Sequence, residues 1–239
     1  MLRVKTGILA ASAALCMSVQ ACSREVPPPQ SSSATSAVAP AVAPAAPADT
    51  RPVVLVLGTS LAAGLGLDNP ADAYPGVLQR IADSAGFGVH VVNAGVSGET
   101  SAGARRRVER FLSPAPAIVI VETGANDGLR ALDADSTAAN LRAIVDTIRA
   151  RAPSAKVVIA QMEAPTNLGP AYTKRFHDLY PAAAKATGVT LMPFLLDGVA
   201  GTPRLNQEDG IHPTKEGAAI VGRNVWKTLA PMLKKGGAG

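Results

Sequence analysis

The sequence predicts an α/β fold, a five-stranded parallel sheet with helices on both faces, occupying residues 51–239 of a 239-residue chain. Three observations carry that expectation. Five short runs rich in Val and Ile recur along the chain, and segments of helical spacing separate them. The runs are also continuously apolar rather than alternating, as parallel strands covered on both faces are. Strict alternation of strand and helix implies right-handed crossovers and a layered α/β/α sandwich. In such folds ligands gather at the carboxyl ends of the strands.

The first 50 residues stand apart. Residues 1–22 open with a basic stub (Arg3, Lys5), continue with an apolar run and end at small residues, the pattern of a secretory signal too short to span a membrane. Residues 23–50 are mostly Pro, Ala and Ser. Such a composition buries too little apolar surface to offset the entropy of ordering, so a disordered linker is expected. The two cysteines, Cys16 and Cys22, both fall in the leader. Residues 51–239 therefore have neither a disulfide nor a thiolate metal site. Cys22 follows Val19-Gln20-Ala21, which resembles the bacterial lipobox although Gln20 replaces its usual small residue. With a tether-like segment after it, Cys22 is read as a lipidation site on an envelope lipoprotein; ordinary cleavage to a soluble periplasmic product is the alternative.

The strands are expected at 53–57, 89–92, 117–121, 156–160 and 189–192. Helices are expected at 74–85, at 100–112, at 136–152 ended by Pro153, at 172–187 ended by Gly188, and at 213–235 with Pro213 first and Gly236 beyond the end. Lys and Arg exceed Asp and Glu by 23 to 18, and the basic residues cluster only at Arg105-Arg106-Arg107. A nucleic-acid surface would need a broader basic face with interleaved aromatics. The chain has four Phe, three Tyr and one Trp, so the Arg run is read as a solvated helix face and no nucleic-acid partner is expected.

Four segments at strand ends can carry chemistry. Gly58-Thr59-Ser60-Leu61-Ala62-Ala63-Gly64 follows the first strand. Alone it reads as a turn with Ser60 capping a helix, and it is neither G-x-S-x-G nor a dinucleotide fingerprint. Asn93-Ala94-Gly95-Val96-Ser97-Gly98 follows the second, as a capped turn or as backbone N–H groups facing an anion. Glu122-Thr123-Gly124-Ala125-Asn126-Asp127-Gly128 follows the third; Asn-Asp-Gly is turn chemistry, or it presents the Asn126 amide to a cleft. Asp209-Gly210-Ile211-His212-Pro213 precedes the last helix. An Asp three residues before a His can reach back to Nδ1 and leave Nε2 free as a base. The same segment also fits a helix-start turn or half of a metal pair, but no further cluster with ligand spacing accompanies it. His90 and His177 are read as structural.

No one of these segments is specific; their conjunction in this order is. From Val53 to the end of the last helix the chain resembles the SGNH (GDSL-type) hydrolases, and within them the bacterial thioesterase, arylesterase and lysophospholipase enzymes. The stretch Pro165-Thr166-Asn167-Leu168-Gly169-Pro170-Ala171-Tyr172 resembles a loop of that group. The resemblance implies the flavodoxin-like SGNH fold, a nucleophile at Ser60, a triad completed by Asp209 and His212, and an oxyanion hole of the Ser60 and Gly98 N–H groups with the Asn126 amide. The family's Gly-Asp-Ser reads Gly58-Thr59-Ser60 here. That Asp is neither nucleophile nor acid–base, so activity is expected to survive.

No cofactor or metal is implied. Short connections leave no lid, and Leu129, Leu168, Phe194 and Leu195 are expected to receive the acyl or aryl group of a small ester or lipid substrate. A carbohydrate acetyl-esterase acting on envelope glycans is the enzymatic alternative, disfavoured by the scarcity of aromatics. A decayed, non-catalytic binding lipoprotein is the alternative of another class, which the retained site residues oppose. A monomer is expected.

Overall fold

The computed structural model describes residues 49–234. The leader, Cys22 and nearly all of the expected linker lie outside the described residues. In chain order the elements are β1 (Val53–Leu57), α1 (Ser60–Ala63), α2 (Tyr74–Ser84), β2 (His90–Asn93), α3 (Ser101–Arg107), β3 (Ile118–Val121), α4 (Ala125–Leu129), α5 (Ala134–Arg151), β4 (Lys156–Ala160), α6 (Pro170–Thr187), β5 (Thr190–Met192) and α7 (Lys215–Leu229). The five strands form one parallel sheet in the order β2-β1-β3-β4-β5. Leu55 sits between Val92 and Val119, and Ile120 opposite Val158. Helix α2 packs on α7, while α5 packs on α3 and α6, giving the expected α/β/α layers.

Position in the sheet explains the strand compositions. The central strands β1, β3 and β4 are buried almost throughout, and β3 is the bare run Ile-Val-Ile-Val. The edge strands β2 and β5 are half-exposed, and they admit His90, Asn93 and Thr190. All five expected strands are present, with bounds moved by at most one residue at either end.

The helices depart from expectation at their ends, each time for a local reason. The α7 N-cap is Thr214, whose hydroxyl accepts from Gly217 N–H, while Pro213 bridges to Asn206 outside the helix. A side-chain cap satisfies a free N–H, which Pro at a first position only avoids having. At its far end α7 gives way to the 3-10 turn Ala230–Met232, because Pro231 has no N–H with which to continue. Helix α3 is α-helical only to Arg107 and tightens into a 3-10 turn at Val108–Phe111. Helices α1 and α4, at four and five residues, are too short to leave a periodic pattern, and both segments read as turns in the sequence.

Strand order places the site. The chain leaves β1 toward β2 on one side and toward β3 on the other, which opens a crevice between the carboxyl ends of β1 and β3. Ser60 lies just past the end of β1, and Asn126 lies in α4 just past β3. Among the described residues no helix is long and apolar enough to cross a membrane.

Candidate active site

Three of the expected residues meet in a line of hydrogen bonds although they lie 149 to 152 positions apart in part. His212 Nε2 is 2.9 Å from Ser60 Oγ, and His212 Nδ1 is 2.6 Å from Asp209 Oδ2. The Asp209 loop is held by its own backbone: Oδ1 accepts from Ile211 N–H at 2.9 Å and His212 N–H at 3.0 Å. Gly210 turns the chain at φ +69°, a left-handed conformation that glycine adopts without a Cβ clash. The His212 side chain, followed by these two N–H groups, holds the Asp209 carboxyl down at about 2. An ionised Asp209 accepts Nδ1–H, and that tautomer leaves the Nε2 lone pair facing Ser60.

Asn126 is buried and shares with Ser60 the wall of a cleft of about 480 Å³. Its helix is tied down by Asp127, which accepts from Ser101 N–H at 2.8 Å, Ser101 Oγ–H at 2.6 Å and Thr137 Oγ1–H at 3.3 Å. These bonds tie α4 to the start of α3 and to α5. Gly98 takes φ +75°, and its carbonyl accepts from Arg130 Nη2 at 3.0 Å. It is not among the residues of the cleft wall.

The acyl-site expectation needs correction. Leu129 and Phe194 line the cleft, whereas Leu195 and Leu168 do not. Leu195 is fully buried in the core, with its N–H donated to the Gln161 carbonyl, and its neighbour Leu196 faces the cleft instead. Leu168 packs, half-buried, against the core at the end of a 3-10 turn whose Thr166 and Asn167 face the cleft. Composition marked the correct segments, but which side chain faces the opening depends on backbone direction that apolarity does not encode.

The arginine run is corrected too. Arg107 is mostly buried, pairs with Glu99 at 2.7 Å and donates from Nη2 to the Gly58 carbonyl at 3.0 Å. It thus braces the turn before Ser60, while Arg105 and Arg106 are exposed. His90 pairs with Asp49 at 3.3 Å, and His177 with Glu163 at 2.8 Å. Among the described residues no three His, Cys, Asp or Glu side chains group as a metal site would require.

The sequence places Glu122 at the head of the segment after the third strand but gives it no role. It follows β3 directly, is fully buried, and accepts from Thr59 N–H at 3.0 Å and Thr59 Oγ1–H at 2.6 Å. Burial pushes its carboxyl up to about 7, against the opposing pull of the Thr59 hydrogen bonds. A folded-state value above the usual 4.5 makes Glu122 a proton-binding group of the native state. Its contribution to stability is complete below pH 4.5 and is lost as pH rises through about 7. The loss is on the order of 3 kcal/mol. In denaturant titrations from pH 4.5 to 7.5, Glu122→Gln is therefore expected to decline less in stability than wild type. Parallel declines would remove Glu122 as the source. Asp209, held low, acts only below this window.

This geometry lies within a chain whose relatives are well defined. The GDSL-like Lipase/Acylhydrolase family matches residues 56–220. The chain is 40% identical to "Esterase TesA" of Pseudomonas aeruginosa over 181 residues, covering 75% of this chain and 89% of that protein. It is 36% identical over 190 residues to "Thioesterase 1/protease 1/lysophospholipase L1" of Escherichia coli K12, covering 79% and 87%. Among solved structures it is similar to the psychrotrophic esterase EstA from Pseudoalteromonas sp., inhibited by monoethylphosphonate, with a TM-score of 0.71 and 32% identity over 75% of this chain and 97% of that one. With the family match spanning residues 56–220 and relatives of 36–40% identity matched over 87–89% of their own length, the chain belongs to the GDSL-like lipase/acylhydrolases and is an SGNH hydrolase of the esterase, thioesterase and arylesterase type.

Proposed function

We propose that this protein is a serine esterase that hydrolyses short- to medium-chain acyl or aryl esters, with thioesters and lysophospholipids in reach of the same chemistry. The observation that carries the reading is the line Asp209–His212–Ser60 opening onto a largely apolar cleft. His212 Nε2 takes the Ser60 proton as Oγ attacks the ester carbonyl, and Asp209 stabilises the imidazolium that forms. The developing oxyanion is met by the Ser60 and Gly98 N–H groups and the Asn126 amide. His212 then protonates the leaving alkoxide, thiolate or phenolate, and water repeats the sequence to release the acid.

The cleft sets the substrate class. Leu61, Met162, Ala164, Phe194 and Leu196 give it apolar walls, and it can hold an acyl chain without a lid. Purified protein is expected to turn over p-nitrophenyl acetate and butyrate, with a chain-length optimum that the cleft length imposes. No turnover of any member of such a series would overturn the reading.

The domain plan is part of the proposal: a signal over residues 1–22, a tether over 23–50 and the hydrolase over 51–239. Cys22 becomes the lipidated N-terminus of an envelope protein. Fully extended, 28 residues reach roughly 85 Å at ~3.1 Å each, so the tether allows work near a membrane without embedding. Several acyl chains anchor stably where one holds only marginally. Cys22→Ser is expected to move the protein from the membrane to the soluble fraction with esterase activity intact. Wild-type protein already soluble, with no acyl mass on its N-terminal peptide, would make Cys22 a remnant of the leader.

A further inference from the structure

The turn that carries Ser60 is gripped from two sides. Gly58 has no room for a side chain, since a Cβ would lie 2.4 Å from Ala62 Cβ and 2.7 Å from Glu122 Oε2. Its carbonyl accepts from Arg107 Nη2 and from Val96 N–H, both at 3.0 Å. On the other side Thr59 gives both its donors to Glu122. Thr59 stands at the N-cap of α1, but its hydroxyl makes no bond to that helix. It points back to β3 instead. A four-residue helix has little stability of its own, so the direction of Ser60 Oγ depends on these outside contacts.

We propose that Glu122 is a positioning residue for Ser60, acting through Thr59, which serves as a neutral hydrogen-bond donor where the family's Gly-Asp-Ser carries a carboxyl. The inference rests on the reading of Ser60 as nucleophile. An Asp at 59 would bring a second carboxyl against Glu122, and two carboxyls so close cannot both ionise. The hydroxyl avoids that conflict: it donates at 2.6 Å and needs no shared proton. One peptide bond separates Thr59 from Ser60, so a tilt at Thr59 displaces Oγ from its 2.9 Å contact with His212. Displacements near 1 Å can cost about 10²-fold in rate.

The test is steady-state kinetics on p-nitrophenyl butyrate with variants shown folded by thermal unfolding. Thr59→Val removes one donor at constant shape and is expected to lower kcat about 10-fold with KM changed less than about 2-fold. Thr59→Ser keeps the donor and is expected to stay within about 3-fold of wild type. Glu122→Gln leaves one acceptor oxygen for the two Thr59 donors and is expected to lose at least as much as Thr59→Val, and the double variant no more than about 3-fold beyond the worse single, because both act on the same Thr59–Glu122 contact. Folded Thr59→Val with wild-type kcat would overturn the proposal. So would a loss confined to KM, losses that multiply, or Thr59→Ser as slow as Thr59→Val. If Glu122→Gln fails to fold, the Val and Ser pair still decides. Ser60→Ala runs alongside: activity retained there sinks the nucleophile reading and this inference with it, whereas inactive Ser60→Ala beside wild-type-like Thr59→Val sinks this inference alone.

Discussion

Ser60→Ala and His212→Ala are each expected to lower kcat by about 10⁴- to 10⁶-fold, and the double variant to be no slower than the slower single. The size follows from what each removes. Without Oγ no acyl-enzyme can form; without Nε2 the hydroxyl keeps its proton and is a poor nucleophile. The non-additivity follows if the two residues, in contact at 2.9 Å, perform one proton transfer as proposed. Once either is gone, the other has nothing to exchange. Residual rate then comes from the remaining oxyanion donors and from binding. Active-site titration with a p-nitrophenyl ester provides a second reading, since an acyl-enzyme burst should vanish in Ser60→Ala. If the two losses multiply, the shared role is wrong. Ser60→Ala with near-wild-type turnover would move the nucleophile elsewhere.

Asn126→Ala is expected to lower kcat by about 10²- to 10³-fold while leaving KM within a few-fold. A donor aimed at charge that develops only in the transition state contributes little to ground-state binding. Asn126 suits that task because it is buried beside Ser60 at the cleft and its helix is fixed from below by the Asp127 bonds to Ser101 and Thr137. The donor needs no reorganisation at the moment of reaction, which is where preorganised groups gain over water. Kinetics on the acetate and butyrate esters should show the same factor, since the oxyanion is common to both. A loss that appears in KM alone would make Asn126 a binding residue for the ground state.

Interior strands and site residues were legible in the sequence for different reasons. The β1, β3 and β4 runs are continuously apolar because both faces are covered, and a short apolar run between helical segments admits few other readings. The Asp209–His212 contact was legible because it is local: three residues and one glycine turn bring Oδ2 to Nδ1. The Ser60–His212 contact, 152 residues apart, was not derivable from spacing, and only the family resemblance joined the two.

What the sequence by itself determined is what local patterning and order along the chain encode. That is the α/β class, the five strands, the position of each candidate segment at a strand's carboxyl end, and the local geometry of the Asp209 turn. Tertiary structure decided the rest. Strand order opened the crevice between β1 and β3, and backbone direction after β5 turned Leu196 rather than Leu195 to the cleft. Packing drew Arg107 from an expected solvent face onto Gly58, and set Glu122 behind Thr59 across 63 positions. These contacts share one physical cause. Packing brings together groups far apart in sequence and pairs those it buries, and neither residue's own neighbours record which partner that packing will supply.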